Sequence, residues 1–142
     1  MLTAVFGDLD CIQVPPDLSE IDVRHLSKLR HLPLAGHAGL REVDLRHNHA
    51  LINIDLTYCT SLWKARLSRR APVRVVKMSD TAFSARTVSA FIDDIHAAAL
   101  YNGIHDGQIH ADRIAEPTPA AKAKLQELRR RGWTITPGDY GG

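Results

Sequence analysis

From Leu18 to Phe83 the chain repeats one pattern six times without a gap: LSEIDVRHLSK, LRHLPLAGHAG, LREVDLRHNHA, LINIDLTYCTS, LWKARLSRRAP, VRVVKMSDTAF. In every eleven-residue segment the first, fourth and sixth residues are apolar; of these 18 places, 17 hold Leu, Ile, Val or Met and one holds Ala65. Two apolar residues separated by one polar residue lie on the same face of a short strand, with the intervening residue on the other face. Each segment therefore reads as a strand followed by a polar turn. Eleven residues also make three turns of helix, but Pro33, Gly36, Gly39 and Pro72 interrupt that reading, and the polar turns recur in place.

A single segment cannot bury its own apolar face, so the segments must stack. Parallel strands lie ~4.8 Å apart and need a crossover to bring the chain back to the same edge. One segment is too short to supply both strand and crossover, whereas two suffice if alternate segments form opposite walls of a flattened coil. One wall is expected to hold Leu29–Leu34, Leu51–Leu56 and Val73–Met78. The other is expected to hold Leu18–Val23, Leu40–Leu45 and Leu62–Leu67. Leu9, Ile12 and Val14 continue the pattern upstream with two residues missing, which places Pro15 and Pro16 in the first turn.

After Phe83 the periodicity changes. Ser84 is a good helix cap, and Val88, Phe91, Ile92, Ile95, Ala98 and Ala99 recur at helical spacing until Asn102-Gly103. A strand GQIHADRI follows, with Ile109 and Ala111 inward. Thr118 and Pro119 open a second helix through Ala121, Lys122, Leu125 and Leu128, which Gly132 ends, and WTIT (133–136) is the last strand. Right-handed crossovers would extend one wall by two strands while helices replace the other.

Leu, two residues, Leu, one residue, Leu, then Asn48 or Cys59 three places on resembles the bacterial leucine-rich repeats. In that family the Asn or Cys caps backbone groups inside the turn; His37, Arg70 and Thr81 depart from the pattern. The tail, "NGIHDGQIHA" followed by "LQELRRRGWTIT", looks like the end of a group of leucine-rich-repeat proteins of bacteria and their phages. The resemblance spans about residues 9–136 and implies a fold and an interaction role, with no reaction. The expected fold is α/β: a short leucine-rich-repeat-like solenoid with two eleven-residue strand segments per turn and C-terminal βαβαβ turns with helices at about 85–101 and 119–131. One domain covers 1–142, divided into an N-terminal segment 1–8, strand repeats 9–83, βα repeats 84–136 and a tail 137–142.

With 44% hydrophobic and only 6% aromatic residues, the core must be aliphatic. A net charge of +2 gives no reason to expect a nucleic-acid or membrane partner. MLTAVFGDLD has neither a basic leader nor a long apolar run, and Cys11 and Cys59 read as free thiols rather than a disulfide framework, so the cytoplasm is the expected location. A virion is the alternative if a phage encodes the chain.

The wall that begins at Leu18 would expose Glu20, Glu42 and Lys64; Asp22, Asp44 and Arg66; and Arg24, Arg46 and Ser68, a face laced with ion pairs or a charged docking surface. The opposite wall would expose His31, Asn53, Val75 and Gln108 in one column and Pro33, Asp55, Lys77, His110 and Thr134 in the next, with Ile52 and Tyr58 nearby. Interface cores are depleted in charge and enriched in aromatics, so the protein-binding residues are expected among His31, Ile52, Asn53, Asp55, Tyr58, Val75, Lys77 and His110.

Other candidates are weaker. His25, His47 and His49 fall close together, but no acid or Cys completes a metal set, and Arg69 takes the next step of their column. Arg129, Arg130 and Arg131, with Lys122 and Lys124, suit a helix C-terminus, with a phosphate-binding patch as the alternative. Arg69, Arg70, Arg74 and Lys77 form a second basic cluster without interleaved aromatics. The sequence has no glycine elbow around a serine and no glycine-rich phosphate loop, and Asp93 and Asp94 diverge by ~100° on a helix. The function expected is a non-enzymatic protein-interaction module without cofactor or metal, with a phage virion component (capsid decoration or tail accessory) as the alternative and a metal-binding or enzymatic protein as a remote one. In a virion, residues 1–8 would serve assembly.

Overall fold

The computed structural model describes residues 2–3 and 19–138. The readings placed on Leu9, Cys11, Ile12, Val14, Pro15, Pro16, Leu18 and the last four residues of the tail lie outside them.

The described residues form a mixed α/β fold of parallel strands and two helices, with no closed barrel among the sheets. In chain order the elements are β1 (Leu2–Thr3), β2 (Ile21–Asp22), β3 (His31–Pro33), β4 (Glu42–Leu45), β5 (Asn53–Asp55), β6 (Lys64–Leu67), β7 (Val75–Lys77), α1 (Ala85–Asn102), β8 (Gln108–His110), α2 (Pro119–Arg130) and β9 (Thr134–Thr136). Alternate segments do go to different sheets. The larger sheet has the order β3-β5-β7-β8-β9, and β4 pairs with β6 in another. Leu32 lies opposite Ile54, Ile54 opposite Val76, and Val43 opposite Ala65, all in parallel register and 22 residues apart. The interval grows to 33 residues from Val76 to Ile109, where α1 is inserted, and is 26 from Ile109 to Ile135, where α2 is inserted.

The apolar positions of the repeat meet in one core. Leu29, Leu32, Leu34, Leu40, Leu45, Leu51, Ile54, Leu56, Leu62 and Leu67 are all at most 1% exposed. Each such side chain contributes about 1.5–3 kcal/mol by leaving water, so six superimposed segments build a continuous aliphatic stack that no single one could form.

The first segment keeps the 22-residue interval at its turn, where Asn48 reaches Val23 and Leu26, but its strand is less regular. Ile21 is only partly buried; β2 pairs in parallel with β1, Leu2 opposite Ile21, and lies beside β4 without a ladder between them. A β2–β4 ladder would set Glu20 against Glu42 and Asp22 against Asp44, and like charges directly opposite each other destabilise a strand pair. Part of the segment 1–8 thus belongs to the sheet system.

Both helices begin and end where their caps dictate. Ser84 Oγ accepts from Thr87 N–H at 3.1 Å while Thr87 Oγ1 accepts from Ser84 N–H at 2.9 Å, a reciprocal capping box. Gly103 closes α1 in the left-handed region at φ 63°. Thr118 caps α2 and Pro119 fills its first turn. α1 lies against β6, and α2 lies against α1 and β9, so the helices continue the side of the molecule that β4 and β6 begin. Gly107 is needed for a different reason: a Cβ there would stand 2.4 Å from the Trp133 ring, whose Nε1 donates to Ile104 O at 2.9 Å.

The turn-cap positions behave in two ways. Asn48 is fully buried, and its Nδ2 donates to Val23 O and Leu26 O of the preceding turn at 2.8 and 3.1 Å. Cys59 Sγ donates likewise to Leu34 O at 2.9 Å. At two positions that break the Asn or Cys pattern, His37 Nδ1 bonds to Leu34 O and Thr81 Oγ1 donates to Met78 O within their own turns, both at 2.8 Å. Burial pushes the Cys59 thiol up to about 11.

Candidate functional site

The larger sheet presents the expected wall. The ladder places His31, Asn53, Val75, Gln108 and Thr134 in one column, and Pro33, Asp55, Lys77, His110 and Thr136 in the next. The expected position of Thr134, beside His110, is corrected: Thr136 stands there and Thr134 stands beside Gln108. A slip of two residues keeps the same face outward, so hydropathy alone does not detect it.

Polar bonds tie this face together. Asn53 Nδ2 meets His31 Nδ1 at 2.8 Å, His110 Nε2 meets Gln108 Oε1 at 3.2 Å, and Thr136 Oγ1 donates to Asp112 Oδ2 at 2.9 Å. Asp55 and Lys77 are the only Asp, Glu, Lys or Arg in the two columns. His31, Pro33, Asn53, Asp55, Val75 and Lys77 line a shallow hollow of ≈ 360 Å³; Ile52, Tyr58 and His110 lie outside it. Ile52 is half-buried at the start of β5, its carbonyl accepting from Arg74 and Val75 N–H at 2.8 and 3.2 Å.

Tyr58 stands in the turn after β5, 58% exposed, with φ 61°. Gly36, Asp80 and Arg113 take the equivalent place after β3, β7 and β8, and all have positive φ. Asp80 receives Arg113 Nε and Nη2, each at 2.7 Å, which lowers the Asp80 carboxyl and raises the Arg113 guanidinium.

The sheet's outer edge at β9 is blocked. The backbone of Ile135 faces away from β8, and Arg129 Nη2 donates to Ile135 O at 3.2 Å and to Pro137 O at 2.9 Å. Pro137 itself has no N–H to offer an added strand.

The other side of the molecule is the charged one, as expected. Asp22 takes Arg24 Nε and Nη2 at 3.0 and 2.8 Å, and Asp44 takes Arg46 at 2.9 and 2.8 Å. These bonds hold the Asp22 carboxyl down to about 2 and lower that of Asp44. Two members of its columns differ from expectation. Arg66 turns to Asp94 of α1, and Ser68 is buried, its Oγ 2.6 Å from His49 Nδ1. A groove of ≈ 840 Å³ crosses this face, bordered by Glu20, Ile21, Glu42, Trp63 and Lys64. Trp63, 44% exposed with Lys64 Nζ 5.9 Å from its ring centroid, stands just before β6 at the repeat position that Ile52 takes before β5, and was not among the expected binding residues.

Several members of the basic clusters have individual partners. Lys124 pairs with Asp93 at 2.7 Å, Lys122 with Glu116, Arg131 with Glu127 at 3.5 Å, and Arg74 with Asp106. Asp93 and Asp94 diverge as helix geometry requires, one toward α2 and the other toward β6. Among the described residues no three His, Cys, Asp or Glu side chains converge on a point that would hold a metal ion. No described helix is long and apolar enough to cross a membrane. In comparisons with known proteins, the chain matches no protein-family model, no curated protein and no solved structure.

Proposed function

We propose that the chain is a short solenoid of the leucine-rich-repeat type that acts by binding another protein, through the outer face of the five-stranded sheet and Tyr58 at its rim. One observation carries this reading: an all-parallel sheet, which in most folds is covered on both faces, here leaves its outer face uncovered among the described residues. That face bears one acid and one base in its two columns, whereas Glu42, Asp44, Lys64 and Arg66 charge every outward place of β4 and β6. Low charge beside an exposed aromatic fits the core of a protein interface. Asn48 and Cys59, each reaching back to the preceding turn, support the leucine-rich-repeat assignment.

The test is recovery of a partner by the tagged chain from lysate of the producing cell, comparing wild type with Val75→Arg, Tyr58→Ser and Glu42→Lys, all checked for native circular dichroism. A protein retained by Glu42→Lys and lost by the first two supports the reading. Loss by Glu42→Lys alone moves the interface to the charged groove.

A further inference from the structure

Just past the carboxyl ends of β4 and β6, where α1 crosses, lies a hollow of ≈ 350 Å³ lined by Arg46, His49, Arg66, Ser68, Arg69 and Arg70, with the fully buried Asp94 at its floor. Crevices at the carboxyl ends of parallel strands are where open α/β sheets bind ligands. Asp94 is satisfied. Its Oδ2 accepts from Arg66 Nε at 2.8 Å and Leu67 N–H at 3.0 Å, and its Oδ1 accepts from Arg66 Nη2 and Arg69 Nε, both at 3.1 Å. Arg46 is held by Asp44 at 2.8 Å. Four guanidiniums thus face two carboxylates, and the excess charge is positive.

The carboxylates leave donors over. Each guanidinium has five N–H bonds in a planar fork. Among the described residues Arg69 commits only Nε, Arg46 and Arg66 leave Nη1 uncommitted, and the Arg70 guanidinium makes no ion pair. Ser68 Oγ accepts from Arg70 N–H at 3.2 Å and lies 2.6 Å from His49 Nδ1, which fixes the turn and the imidazole at the rim of the hollow. Guanidinium forks around a small concavity, those of Arg46 and Arg66 held by carboxylates and those of Arg69 and Arg70 with donors to spare, match a tetrahedral dianion, which takes several charge-assisted bonds at once. A nucleic-acid backbone would call for charges strung along a surface. We propose that this hollow binds a phosphoryl dianion, with Arg69 and Arg70 as its principal ligands.

Inorganic phosphate and N-acetyl-phosphoserine amide, titrated into the full chain by calorimetry and by NMR, test the site. Saturable binding of either probe that weakens about tenfold or more in Arg69→Gln/Arg70→Gln, and stays unchanged in Arg130→Gln at the end of α2, supports it. Tighter binding of the phosphoserine probe assigns a phosphoprotein source, and equal binding a free phosphate. Arg70→Gln alone, which removes no ion pair, keeps the test valid if the double variant fails to fold, and a weakening of several-fold is expected. No saturable response to either probe up to about 20 mM, or binding undiminished in the Arg70→Gln variant, overturns the proposal. So does tighter binding of duplex DNA that Arg130→Gln weakens equally.

Discussion

The carboxylate of Asp94, in the middle of α1, accepts the backbone N–H of Leu67 at 3.0 Å while holding the Arg66 guanidinium in a fork. A side chain thereby fills the place that the next strand would take along β6, and the same contact joins the strand repeats to the helical end of the chain.

Removing that group should therefore be costly. Asp94→Ala leaves the buried Leu67 N–H without its acceptor and frees the part-exposed Arg66, and a buried donor left unsatisfied costs about 1–3 kcal/mol. Its neighbour Asp93, which meets Lys124 in a half-exposed pair, should cost about 1 kcal/mol or less when changed to Ala. Urea unfolding of the two variants checks the contrast. Equal losses would mean that α1 does not depend on β6.

Tyr58 holds a left-handed backbone that costs an L-residue roughly 1–2 kcal/mol, and its exposed ring recovers little by packing. Tyr58→Gly should therefore raise stability by about 1 kcal/mol while weakening recovery of the partner. A stabilised variant that still binds would remove Tyr58 from the interface.

Cys59 should react slowly. Its thiol is buried, bonded to Leu34 O and pushed up to about 11, so little nucleophilic thiolate exists near neutrality. Alkylation by iodoacetamide at pH 8, mapped by peptide mass analysis to separate it from Cys11, should label Cys59 only as fast as the chain unfolds. Rapid labelling of Cys59 in the native protein would contradict its capping role.

Acid should loosen the fold through the exposed pairs. Asp22, Asp44, Asp80 and Glu127 all have carboxyls held below their ordinary values by Arg24, Arg46, Arg113 and His96 respectively. The unfolded chain then binds more protons than the native one in this range, so stability rises with pH there. Their contribution is complete above the unfolded carboxylate range near pH ~4 and is lost as pH falls through the lowered values, for Asp22 only near about 2. Melting temperatures between pH 2 and 6 should show this slope, and Asp22→Asn with Asp44→Asn should flatten it.

The repeat was legible because burial is recorded locally: in every segment from Leu29 to Met78 the first, fourth and sixth residues are buried. The helices were legible through Ser84, Gly103, Thr118 and Pro119, whose roles depend on adjacent backbone alone. What escaped depends on residues far apart in the chain. Asp94 reads as an ordinary helix-surface acid until Arg66, 28 residues earlier, is brought beneath it. The arginine hollow draws on residues from Arg46 to Asp94, and no spacing rule joins them. The pairing of β2 with β1 joins residues 19 apart across a stretch with no shared spacing.

The parallel 22-residue register supports both proposed surfaces, and inter-strand nuclear Overhauser contacts in the isotope-labelled protein test it most directly. The backbone of Ile54 should show contacts to Leu32 on one side and Val76 on the other, with Val43 touching Ala65. Contacts that set Val43 against Ile54 in an antiparallel pair would contradict the two-sheet arrangement and, with it, the face and the hollow assigned to it.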